Sequence, residues 1–123
     1  MEVRSVLTIS IFNEQAWQYA FGNFLDEFYR STSERRQELI NEDIRYLNLS
    51  VEEKAYLAAS VHKLANDFEL QVPTWVFDSE YRLREPFFAR GVTGDLRFIY
   101  LYESPIEFKY RNIFTSRNTL SRA

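Results

Sequence analysis

A chain of 123 residues fits one domain, and at this size folding buries roughly two thirds of the unfolded surface, enough for a core without staples. The absence of cysteine excludes disulfides, a thiolate nucleophile and a zinc site built on sulfur, and it fits a reducing cytoplasm. Aromatics make up 17% of the chain and the charge is polarised: residues 1–80 carry seven basic against fourteen acidic residues, residues 81–123 eight against four.

The N-terminus, Met1-Glu2-Val3-Arg4, lacks the basic region of a signal peptide, and no apolar run is long enough to span a membrane. Val3 to Phe12 is apolar and β-branched without a clean period, which suits either a short strand or an extended lead-in. Asn13 is a candidate N-cap for a helix running to about Arg30. Trp17, Phe21, Phe24 and Phe28 share a narrow arc of that helix, with Ala20 and Leu25 at its edges. A stripe of this kind reads as core rather than as a cofactor slot.

Ser31 and Glu34 have capping-box spacing and open a second helix to about Asn48. Its stripe is Ile40, Ile44 and Leu47, with Leu39 and Tyr46 beside it. Arg36 and Asp43 fall inside the same arc, and a charge on a packing face must find a partner or reach water. They are candidates for an inter-helix polar contact.

Ser50 and Glu53 form another capping box at the head of the longest helix, expected from Ser50 to about Leu70. Leu57, Val61, Leu64 and Phe68 make its apolar stripe, and Ala58 and Ala65 allow a neighbour to approach closely. Glu52, Tyr56, Ser60, Lys63 and Asp67 are expected to face water or a partner. The short Asn48-Leu49 link predicts that the first three helices run as antiparallel neighbours.

The residue before Pro73 is pushed out of the helical region, so the long helix must stop short of it. Val72 to Pro86 reads as a linking region with Trp75 and Phe77 as anchors plugged into the helical layer. Pro86, Gly91 and Gly94 punctuate the chain from 86 to 94. Asp95 to Tyr102 suits a strand by its aromatic content, but its helical surroundings favour a buried helix. Ser104-Pro105-Ile106-Glu107 is a helix start, with a serine cap and proline at the first helical position. That helix is short, carries Phe108 and ends near Asn112, and Ile113 and Phe114 come next as apolar anchors. The expected architecture is an all-α bundle of about five helices in one domain, residues 1–123, with a short N-terminal strand as the variable feature.

His62 is the only histidine, and Asn66 and Glu69 lie near its line on the long helix. Zinc sites take three or four protein ligands, and no metalloprotease or finger spacing is present. The acidic pairs Asp26-Glu27, Glu42-Asp43 and Glu52-Glu53 are adjacent in sequence, so on a helix they diverge rather than converge on a substrate. There is no phosphate loop, dinucleotide fingerprint or nucleophile elbow. A hydrolase or metal enzyme built on His62 and scattered carboxylates ranks last, and no cofactor is expected.

The last third interleaves arginines and rings, the residue types that interfaces favour at their hot spots. Arg97, Lys109, Arg111, Asn112, Phe114, Arg117 and Arg122 are the candidate binding residues. A protein partner is the first expectation. The same mixture suits RNA or single-stranded DNA, with rings for stacking and cations for phosphate, and homo-oligomerisation is compatible with both.

Glu103-Ser104-Pro105, Arg111-Asn112-Ile113-Phe114 and the closing Leu120-Ser121-Arg122-Ala123 resemble the tails of small helical bacterial proteins associated with genes for nucleotidyltransferase-type toxins. The likeness covers the last third and extends back to Pro73-Thr74-Trp75 and Glu85-Pro86. It implies a non-catalytic partner or antitoxin-like protein rather than an enzyme, without assigning a chemical role to any of these residues.

Overall fold

The structure, a computed structural model, describes Phe12 and residues 15–122. The expected strand or lead-in over Val3–Phe12, apart from Phe12 itself, and the Asn13 cap lie outside the described residues. Phe12 is buried against Trp17 and Phe24. The fold is mostly helical, 58% helix against 4% strand.

Helix α1 spans Trp17–Tyr29, with Ala16 at its N-cap and no side-chain cap. Ala20, Phe24, Leu25 and Phe28 are buried, while Trp17 and Phe21 are half-buried. Each fully buried ring contributes about 1.5–3 kcal/mol, so this helix supplies much of the core. The hydroxyl of Ser31 donates to the Glu27 carbonyl and so closes α1 instead of opening the next helix. Thr32 takes the capping role, accepting from the Arg35 N–H, and α2 covers Ser33–Asn41.

The second helix therefore starts one cap later than expected and stops at Asn41, well short of Asn48. Asp43 accepts the Arg45 N–H two residues on, a local turn that competes with helix continuation. Ile44 and Leu47 are still fully or nearly buried, but from turns rather than from a helical stripe.

Helix α3 spans Val51–Asp67 and carries the capping box in full: Glu53 N–H to the Ser50 hydroxyl and Ser50 N–H to the Glu53 carboxylate, both 3.1 Å. It is buried on more than its stripe, since Ala55, Ala58, Ala59, Ser60 and Ala65 are all covered. Ser60 does not face water; its hydroxyl donates to the Tyr56 carbonyl. At the other end Leu70 N–H reaches the Ala65 carbonyl and Glu69 N–H the Asn66 carbonyl, a Schellman closure with Glu69 at φ 57°.

The closest backbone neighbours of α3 are two 3-10 turns, Thr74–Phe77 and Ser79–Tyr81, and the short helix α5 at Ile106–Lys109. The backbone of α3 is thus lined by these short elements more than by α1 and α2, which contact each other, and its buried alanines leave room for that approach. Contact with α1 runs through rings, Phe28 on Phe68 and Phe21 on Tyr56. Trp75 is buried with its indole N–H on the Ile40 carbonyl at the end of α2, and Tyr81 is fully buried. Phe77 does not plug the core: it is exposed, edge-on to His62.

Two strand fragments, β1 (Phe87–Phe88) and β2 (Ile113–Phe114), pair in parallel, Phe87 beside Ile113 and Phe88 beside Phe114. They amend the all-α expectation. Helix α4, Asp95–Glu103, starts after Gly94 at φ 61° and ψ −136°, a backbone region open essentially to glycine alone. The Ser104 hydroxyl does not cap α5. It accepts from the Thr115 N–H and lies within reach of the Tyr100 and Thr115 carbonyls, tying α4 to the segment after β2.

Candidate protein-docking face

Helix α4 was expected to be buried, and it is not. Tyr100 alone is covered, at 7% exposure, whereas Phe98 stands at 71% and Tyr102 at 88%. With 3.6 residues per turn, Phe98 and Tyr102 lie one above the other on the side away from Tyr100. Ile99 and Leu101 flank that ridge on either side, each exposed, whereas Leu96 is exposed on the Tyr100 side of the helix. Monomeric proteins rarely leave so many contiguous apolar side chains uncovered without an interaction to serve.

Polar and cation–ring contacts hold this helix in place. The guanidinium of Arg97 lies 4.7 Å over the Phe88 ring and its Nε donates to the Val92 carbonyl. Phe88 stacks in turn on Phe114, 5.2 Å between centroids. Lys109 donates to the Tyr102 carbonyl, and Arg117 sits 3.5 Å from Glu103. Arg97, Lys109, Phe114 and Arg117 thus gather around α4.

The other expected binding residues do not join them. Arg111 is fully buried, contrary to its placement on a surface. Its guanidinium donates to the Val76 carbonyl (2.6 Å), the Glu107 carbonyl (2.8 Å) and His62 Nδ1 (3.1 Å), and lies 5.0 Å from the centroid of the Tyr110 ring. Burial lowers its pKa to about 10, with Tyr110 and Glu107 opposing, so it remains a cation at neutral pH. Three acceptors and a ring face replace the water it loses, while Nε has no partner among the described residues. Asn112 is half-buried at φ 66° and donates to the Leu83 carbonyl. Arg122 grips Asp26 with two nitrogens, fastening the tail to α1 and holding the Asp26 carboxyl below its usual range.

Arg36 and Asp43 do not meet each other. Arg36 donates to the Phe28 and Tyr29 carbonyls at the end of α1 and lies over the Phe68 ring. Asp43, beyond α2, accepts from the Tyr81 hydroxyl at 2.9 Å and shares Arg45 with Asp78 and Glu80. Desolvation, reinforced by the Asp43 carboxylate, raises the Tyr81 pKa well above the usual phenol range.

His62 is half-buried with Nδ1 facing Arg111. A guanidinium only donates, so Nδ1 accepts and Nε2 carries the proton. Burial lowers the pKa of His62, the Arg111 cation lowers it further, and Glu107 opposes both. Asn66, on the same line, donates to the Glu107 carboxylate. No group of three His, Asp or Glu side chains among the described residues is placed to hold a metal ion.

One open groove of about 550 Å³ lies elsewhere, between α1, the head of α3 and the tail, with Trp17, Phe21, Tyr56 and Arg90 in its walls. No protein-family model matches the chain, and neither a curated protein nor a solved structure matches it. No helix among the described residues is long and apolar enough to cross a membrane.

Proposed function

We propose that this chain is a non-catalytic protein-interaction module, and that the outward ridge of α4 is its docking face. The observation that carries this reading is the exposure of Phe98 and Tyr102, aligned on a helix that buries only Tyr100. Interfaces favour aromatic and arginine side chains at their centres, and Arg97, Lys109 and Arg117 supply a polar rim around this ridge. An antitoxin-like partner role, which the resemblance of the C-terminal third implies, is one form such a module takes, and the reducing cytoplasm, which the absence of cysteine fits, is its expected compartment.

Nucleic-acid binding finds less support. Of the cations expected to form its surface, Arg111 is buried and Arg122 is engaged with Asp26, and Phe88 and Phe114 stack on each other. The test is affinity capture with wild type and with Phe98→Glu, whose side chain is too exposed to matter to the core. Loss of a specifically bound protein in the variant supports the reading. Equal capture by both, or capture of nucleic acid alone, contradicts it.

A further inference from the structure

Resting on the α4 docking face, we infer that its occupant is a second copy of this chain, with the two α4 helices paired antiparallel about a two-fold axis. The ridge consists of two rings one helical turn apart, Phe98 and Tyr102, at 71% and 88% exposure. An antiparallel two-fold sets each Phe98 against the partner's Tyr102, so one patch is complementary to itself, as an isologous contact requires. Ring pairs of this kind contribute beyond their buried area.

Charge points the same way. Asp95 is the acidic residue in the first turn of α4, and the Lys109 ammonium sits at the opposite end, 3.3 Å from the Tyr102 carbonyl. Antiparallel pairing brings the Asp95 end of one copy towards the Lys109 end of the other, twice. Parallel pairing would place like charges together. The helix dipoles also oppose in the antiparallel arrangement.

The area is adequate. Taking about 150–250 Å² for an aromatic side chain and rather less for an aliphatic one, the uncovered parts of Phe98, Ile99, Leu101 and Tyr102 come to roughly 400–550 Å². Two copies together cover about 1,000 Å², the lower bound for a specific interface and the size expected of a dimer that forms in the micromolar range.

Sedimentation velocity of the purified chain from about 1 to 200 µM reads the dimer directly. Wild type is expected to shift to twice the monomer mass within that range, and Phe98→Glu to raise the dissociation constant about 30-fold or more, the loss typical of a hot spot. Asp95→Lys and Lys109→Glu are each expected to weaken the dimer, and the double exchange to restore it. Restoration separates a cross-copy ion pair from any effect of either change on its own helix. Circular dichroism checks that each variant is folded. A wild type that stays monomeric at 200 µM overturns the inference, as does a dimer indifferent to Phe98→Glu or an exchange that restores nothing. A monomer that loses capture of a different protein on Phe98→Glu overturns the second copy alone and leaves the docking face standing. A monomer whose capture is unchanged overturns both.

Discussion

Arg111 does at the level of one side chain what a salt bridge or a metal does elsewhere. It joins the 3-10 turn at Val76, the backbone of α5 at Glu107 and α3 at His62, and among the described residues no ion pair duplicates it. Replacing it by methionine removes the charge but orphans two buried carbonyls. The expected cost is about 2–4 kcal/mol, read as a lowered midpoint in chemical denaturation. Arg111→Lys is expected to recover only part of that loss, because a single ammonium does not span the three acceptors of a planar fork. His62 adds a pH dependence. Its pKa is lower in the fold than in the unfolded chain, so the unfolded chain takes up the proton first as pH falls. The contribution of neutral His62 is therefore complete above about pH 6.5, its ordinary value, and is lost as pH falls through the lower folded pKa. Denaturation at pH 7.5 and pH 5.0 is expected to show a drop that shrinks in His62→Gln, which retains an acceptor but does not titrate.

At the scale of elements, the capping signals state where helices begin far better than periodicity states where they end. Ser50 and Glu53 mark the head of α3 because both bonds of the box are local. The same logic places the start of α2 one cap early, because Ser31 has a rival acceptor, the Glu27 carbonyl, within one turn. The end of α2 was illegible for a comparable reason: Ile40, Ile44 and Leu47 keep a helical spacing, yet the Asp43 turn breaks the backbone among them while leaving all three buried. Two changes probe element ends. Glu69 closes α3 in a left-handed conformation that glycine adopts without the Cβ penalty, so Glu69→Gly is expected to stabilise by about 0.5–1 kcal/mol. Ser104→Ala removes the acceptor for the buried Thr115 N–H and is expected to cost about 1–3 kcal/mol. Amide exchange should then quicken in α4 more than in α3, since Ser104 anchors α4 and not the core.

Across the whole molecule, the division of labour runs between a covered front and an uncovered α4. Phe24, Phe28, Leu57, Val61, Leu64, Trp75 and Tyr81 share one core cluster, and most of these positions are legible from amphipathic spacing. The parallel β1–β2 pair was not legible, since two-residue strands carry no period. Nor was the exposure of α4: a helix apolar nearly all round reads as buried, and the sequence alone does not say that Tyr100 is the one side chain of it that is buried. The cationic tail shows the opposite failure. Arg111 and Arg122 look like rim residues in the sequence, yet long-range packing assigns one to the interior and the other to Asp26. Site-specific photo-crosslinking from position 102 in the native host tests the docking face most directly, with position 46, whose tyrosine is 53% exposed and lies outside the ridge, as the control. A discrete protein adduct from position 102 and none from position 46 is the predicted result; adducts from position 46 alone, or none from position 102, would contradict it.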